Sequence, residues 1–241
     1  MTQELQPAEA ATEIVQPKQT AKRSRRQGPR TTSLKHLLAK KFDFLKDLPV
    51  EIERSLGQLV SAFIMIVWGQ SGNGKSNFIY QLLKVLMNYG NVLYLALEEG
   101  FETTTQMVAL RHLNEEDHSG KILFADHTMT YEEAMLYLKR KKSPKFIIID
   151  SVQYWDINYA KYKLLKESFP NKTFIFISHA KGSNPDGTTA QKIRYDAGIK
   201  VHVKAYVAHP TSRYGGNKPY IIWEEGAIKE YGKKKVNEFK K

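Results

Sequence analysis

The stretch MIVWGQSGNGKSNF, residues 65–78, sets a short apolar run against a loop with three glycines in six positions and a Lys-Ser pair. Gly69, Gln70, Ser71, Gly72, Asn73, Gly74, Lys75 and Ser76 fit the spacing G-x-x-x-x-G-K-[ST]. They stand directly after an apolar strand pattern and directly before a helical one, where that spacing has physical meaning. Glycines let the backbone wrap so that successive N–H groups face inward at phosphate oxygens, and the helix that follows adds its positive N-terminal end. In this reading residues 69–77, Asn77 included, cradle the phosphates of a nucleotide. Lys75 bridges the outer phosphates, and the Ser76 hydroxyl ligates magnesium. The alternative, a Gly-rich strand-to-helix turn with no ligand, is disfavoured because strand, loop and helix all agree.

Outward from the loop, short apolar runs recur at 63–68, 92–97, 121–124, 146–149, 173–177, 199–207 and 220–223. Helical patterns occupy 76–89, 103–113, 131–141 and 159–169 between the early ones. Near-continuous apolar strands separated by helices predict a mostly parallel central sheet covered on both faces, a three-layer α/β/α fold. The last two runs lack a helix between them and alternate more, which predicts an antiparallel C-terminal extension. Residues 34–45 have helix-like apolar spacing that Leu48-Pro49 breaks.

The expected organisation is a disordered basic arm over 1–32, one domain over 33–228 and a basic, solvated tail over 229–241. A chain of 241 residues is long enough for such a core without staples. There is no cysteine, so disulfides, thiolate zinc sites and cysteine nucleophiles are excluded. The seven histidines show no metal-ligand spacing. No run approaches the roughly 20 apolar residues of a membrane helix, and the N-terminus lacks a secretory pattern. A cytoplasmic protein with no membrane partner is expected. The net charge of +12 points to a polyanionic partner, nucleic acid ahead of membrane, against the alternative of ordinary solubility charge.

A magnesium-holding acid should end another buried strand, and FIIID supplies Asp150 at the edge where ligands of open α/β sheets collect. An Asp there also caps turns, but coupled to the phosphate loop the metal role is preferred. Hydrolysis needs a group that orients water. Ser151 follows the Asp, so the candidate is Glu98, at the end of VLYLALEEG, with the N-terminal acid of the next helix as the alternative role that suits Glu99 better.

These residues together resemble the RecA-like P-loop ATPases, and within them the ATPase core of the RadA/Sms family, with DnaB-type replicative helicases a looser relative. The resemblance runs in order through GQSGNGKS, VLYLALEEG with Gln106 and Arg111, IIIDSVQYW, ISHAKG and TSRYGG. It implies ATP and Mg2+ as ligands, DNA as partner and a hexameric ring or filament. Glu98 falls on the family's catalytic glutamate. His179 falls where such ATPases carry a sensor of the γ-phosphate, with strand-end capping as the alternative. Lys181, Lys192 and Arg194 lie in the region that faces DNA in the family, otherwise a mobile solvated loop. Tyr154 and Trp155 either stack on bases or pack under the loop. Arg213 of TSRYGG would act in trans on a neighbour's nucleotide, or else serve as a hairpin-turn arginine. Thr211 stands where the family has lysine, so half of that basic pair is missing.

The sequence shows neither the zinc module and protease-like domain of RadA proteins nor the scaffolding domain of the helicases, so a stripped core, of the kind expected in viruses or mobile elements, is the expectation. Two functions follow. One is a Mg-dependent ATPase that binds DNA, single-stranded first, and couples hydrolysis to replication, recombination or repair. The other is an ATP-gated mediator or loader with slow hydrolysis and no motor activity. A small-molecule kinase would need an acceptor pocket and lid that the sequence does not offer.

Overall fold

A computed structural model describes residues 31–240, which fall into two units divided between Lys41 and Phe42. The expected disordered arm therefore lies almost wholly outside the described residues. In the first unit, helix α1 (Leu34–Leu38) starts where the Ser33 hydroxyl accepts from the His36 N–H. It buries nothing and ends well short of the predicted 34–45 helix, with the next helix, α2 (Val50–Leu56), beginning in the second unit directly after Pro49.

The second unit continues in chain order with β1 (Ile64–Gly69), α3 (Lys75–Leu86), β2 (Val92–Ala96), α4 (Thr103–His112), α5 (Glu115–His118), β3 (Ile122–Asp126), α6 (Tyr131–Leu138) and β4 (Phe146–Asp150). After these come α7 (Tyr159–Ser168), β5 (Thr173–Lys181), β6 (Asn184–Pro185), α8 (Thr188–Asp196), β7 (Ile199–Lys204), β8 (Val207–Ser212), β9 (Tyr220–Ile221), α9 (Glu224–Tyr231) and α10 (Lys233–Phe239). The sheet runs β3-β2-β4-β5-β1-β7-β8-β9, with β6 paired to β5. The strands from β3 to β7 are parallel, while β8 and β9 run antiparallel.

Pleating sends neighbouring residues to opposite layers. Met65, Val67, Tyr94, Ile148 and Ile175 pack with α3, whereas Ile66, Trp68, Leu95, Ile149 and Phe176 pack with α6, α7 and α8. Helix α3 presents Phe78, Ile79, Leu82, Leu83 and Leu86 at helical spacing, which is why it lies flat on the sheet. Helix α6 is fixed at its start by a reciprocal Thr130–Glu133 capping box. The result is the three-layer, mostly parallel α/β fold with an antiparallel extension.

Three expectations are corrected. The apolar run 199–207 is two strands: Ala205 and Tyr206 take φ of 47° and 60° and turn the chain back on itself. The segment after ISHAKG, expected as a loop that faces DNA or else is mobile and solvated, contains α8, whose Ala190 and Ile193 are buried. The charged tail is the helical pair α9–α10, because Ala227 and Val236 give it an apolar side that packs on Val207. Among the described residues no helix is long and apolar enough to cross a membrane.

Candidate functional site

The loop after β1 owes its path to backbone that only glycine allows. A Cβ on Gly69 would stand 2.2 Å from the Val203 carbonyl oxygen, and Gly72 and Gly74 have φ of 76° and 96°. Lys75 opens α3 and its Nζ donates to the Gln70 carbonyl oxygen at 3.1 Å. The loop is also held from across the sheet. The Asn73 Oδ1 accepts from the Ala205 N–H at 2.6 Å, and the Asn73 carbonyl accepts from the Tyr206 N–H at 3.2 Å. Further along, Asn77 Oδ1 accepts from Arg111 at 3.1 Å and lies 2.8 Å from His112 Nε2, which ties α3 to α4.

Against this loop stands a cleft of 210 Å³ lined by Gly72, Lys75, Ser76, Glu98, Asp150 and His179, with Glu99 beside them. Strands β2 and β4 are neighbours in register, Ala96 opposite Asp150, so both acids emerge at the same C-terminal edge of the sheet. The Glu98 N–H donates to the Asp150 carbonyl at 3.1 Å. Tyr94, buried one turn of the pleat below, donates its hydroxyl to Asp150 Oδ2 at 2.5 Å. On the other side His179 Nε2 lies 3.0 Å from Glu98 Oε2. The His179 backbone is steadied by Gln153, whose Nε2 donates to Ser178 Oγ and to the Asp186 carbonyl, each at 2.8 Å.

The charges are lopsided, with one ammonium facing three carboxylates. Burial pulls Lys75 below its ordinary pKa, opposed by Asp150, Glu98 and Glu99. Burial first, and then Glu98 and Glu99, push Asp150 up to about 6 against the pull of Tyr94 and Lys75. A carboxyl held that high, beside further acids and a serine hydroxyl, is a hard-oxygen environment short of positive charge, which fits Mg2+. No cluster of three metal-ligating side chains exists among the described residues. Mg2+ takes one or two protein oxygens and the remainder from phosphates and water, and Ser76 and Asp150 could supply the protein oxygens.

The other predicted residues lie elsewhere. Arg213 follows β8 and lines a separate 340 Å³ cavity with Lys166, Lys172 and Asp196, at the opposite sheet edge where Phe63 and Ile64 lead into β1. It is not part of this chain's phosphate cleft. Lys181, Lys192 and Arg194 do not form one loop surface. Lys181 ends β5, the Lys192 ammonium sits 5.3 Å from the centre of the Tyr159 ring, and the Arg194 guanidinium lies 5.1 Å from that of Trp68. Trp155 is buried and packs on Tyr131, while Tyr154 stays exposed beside His179. Sequence reading missed Tyr94, Gln153 and the Asn73 clamp. All three stood in segments already singled out, VLYLALEEG, IIIDSVQYW and GQSGNGKS, but the partners of Tyr94 and Asn73 are 56 and 132 positions away, so no local pattern gives those contacts.

No protein-family model matches the chain, and no curated protein matches it. Among solved structures, the KaiC-like protein PH0186 of Pyrococcus horikoshii OT3 aligns at 18% identity over 72% of this chain and 88% of its own, with a TM-score of 0.52. The flagellar accessory protein FlaH of Methanocaldococcus jannaschii aligns at 18% identity over 67% and 80%, with a TM-score of 0.49. An ATPase of the type III secretion system of pathogenic bacteria aligns at 16% identity over 63% and 54%, with a TM-score of 0.44. At such identity, the likeness to the KaiC-like protein speaks for a shared fold alone.

Proposed function

We propose that the protein is a Mg2+-dependent ATP hydrolase that binds DNA, single-stranded first, and couples turnover to replication, recombination or repair. The observation that carries the hydrolase is the meeting of Lys75, Ser76, Glu98 and Asp150 in one cleft at the C-terminal edge of adjacent strands. The backbone from Gly69 to Asn77 would cradle the phosphates, with Lys75 on the outer ones. Ser76 and Asp150 would hold Mg2+, which supplies positive charge against the phosphate oxygens. Glu98 accepts a proton from, and orients, the attacking water; placement and charge do the rest. His179 touches Glu98 and is tied through its backbone to Gln153, so it is placed to pass phosphate loss on to the segment after β5.

The finer likeness to the RadA/Sms core rests on the order of motifs in the sequence, and so does assembly into a ring or filament with Arg213 serving a neighbour. DNA as partner is supported by the +12 net charge. A second reading, an ATP-gated mediator with slow turnover, draws on the Glu98–His179 pair: in this arrangement the carboxylate that should orient water is already engaged at 3.0 Å. Phosphate release measured with and without Mg2+ and single-stranded DNA tests both. The motor reading expects turnover that requires Mg2+ and rises at least tenfold with DNA. Slow turnover indifferent to DNA favours the mediator, and no turnover under any condition contradicts the hydrolase.

A further inference from the structure

We propose that the strip of β7 left open between α8 and the α9–α10 pair is the surface that receives the sugar-phosphate backbone of single-stranded nucleic acid. This rests on the nucleic-acid part of the proposed function; of the residues that the sequence singled out it keeps Arg194 and replaces Lys181 and Lys192 by Lys200 and Lys204. Register decides which side chains share the face. Lys200 pairs with Thr211, His202 with His209 and Lys204 with Val207, while Ile199, Val201 and Val203 are wholly buried on the other side. On β8 this face is covered, Val207 by Ala227 and Val236 and His209 by Tyr231 and Phe239, so the open part is the β7 row. On the neighbouring strand Ile66 is beside Lys200 and Trp68 beside His202. Trp68 stacks on the His202 ring at 5.3 Å, with Arg194 from α8 against it.

Lys200, Lys204, Arg194 and Arg213 thus gather around one strip. Asp196, the acid that acts on Lys200, is already engaged by Lys166 at 2.7 Å and by the Tyr162 hydroxyl. The Lys200 and Lys204 ammoniums have no hydrogen bond or ion pair among the described residues. Arg194 donates from Nη1 to Asn184 Oδ1 at 2.9 Å, and its buried Nε has no partner among the described residues. The crowding registers on Lys200, whose pKa is depressed by burial and then by Arg213 and Arg194.

Alternate strand residues stand roughly 6.6 Å apart, so Lys200, His202 and Lys204 form a rigid row about 13 Å long. The charge is carried by the two lysines at the ends of the row, since burial and then Lys204 and Arg194 hold His202 below the ordinary imidazole pKa; phosphates spaced along a strand can meet both lysines, each contact adding to affinity without reading sequence. Tyr195, 74% exposed at the end of α8, carries the carbonyl to which Arg213 donates at 3.5 Å. An exposed ring beside a cationic track is the composition of a single-strand surface, with bases stacking while phosphates pair.

The test is anisotropy of a labelled mixed-sequence single-stranded oligonucleotide, titrated with the full chain at several salt concentrations. Lys200→Gln with Lys204→Gln should weaken binding more than tenfold and reduce the slope of log affinity against log salt by about 1.5. Tyr195→Ala should weaken binding about fivefold or more with the slope unchanged. Unchanged melting temperature and DNA-free ATP turnover would show that the variants fold. If the wild type binds DNA but the double variant binds it as well with the same slope, the strip is overturned while DNA binding stands. If Lys181→Gln with Lys192→Gln produces the loss instead, the interface follows those two lysines and the β7 strip is overturned. If the wild type binds no oligonucleotide, DNA as a partner falls first. Loss of ATP-dependent self-association in the double variant, with DNA binding intact, would make the strip a contact between copies and overturn the proposal.

Discussion

Asp150 illustrates how the cleft trades stability for charge. Its folded pKa of about 6 is above the ordinary carboxylate value of 3.8, so folding favours its protonated form. That contribution is complete below about pH 4 and is lost as pH rises through about 6. At neutral pH the ionised carboxylate is held against its surroundings, which is tolerable if a metal or substrate later supplies the missing positive charge. Asp150→Asn should therefore raise the stability of the ligand-free protein by about 1–3 kcal/mol at pH 7.5, with little gain at pH 4, while Mg-dependent turnover disappears. Thermal unfolding at the two pH values checks this; an equal effect at both would mean that the carboxyl is not strained. In the wild type, Mg2+-dependent nucleotide affinity should fall as pH drops below about 6, as Asp150 takes up its proton.

Among the elements, the phosphate loop is a joint between two parts of the chain. Asn73 binds the turn between β7 and β8 through its side chain and its carbonyl, so the hairpin helps to hold the loop open. Asn73→Ala leaves the Ala205 N–H unpaired and frees the loop, and should lower ATP affinity roughly fivefold and stability by about 1 kcal/mol, measured by nucleotide titration and chemical denaturation. At the C-terminus, Val236 is fully buried between α10 and Val207. Val236→Asp should cost about 2–4 kcal/mol, a loss that a frayed tail would not give.

The parallel strands and the loop at residues 69–76 were legible because both are local. Each strand is one apolar run, and the loop's spacing is its own signature. The tail was misread because three consecutive lysines hide a single buried valine, and α8 because GSNPDG reads as loop up to the point where Thr188 starts a helix. Glu98 and Asp150 were placed at strand ends from sequence, and the sheet brings them together. Arg213 sits at the far edge, which no local pattern reveals.

For the whole molecule the account joins two surfaces, a cleft that lacks positive charge and a strip that has it in excess. With a net charge of +12, association with polyanions should be strongly salt-sensitive whichever face carries it. If Arg213 serves a neighbouring copy, sedimentation should show larger particles with Mg-ATP than without, and Arg213→Ala should lower turnover only where such particles form. The most direct test is binding and single-turnover cleavage of Mg-ATP by Glu98→Gln beside the wild type. The account predicts affinity within about threefold of wild type and cleavage at least 100-fold slower, since Gln keeps the shape and loses the proton acceptor. Cleavage at the wild-type rate would contradict it, and would mean that the carboxylate facing the loop does not orient the water.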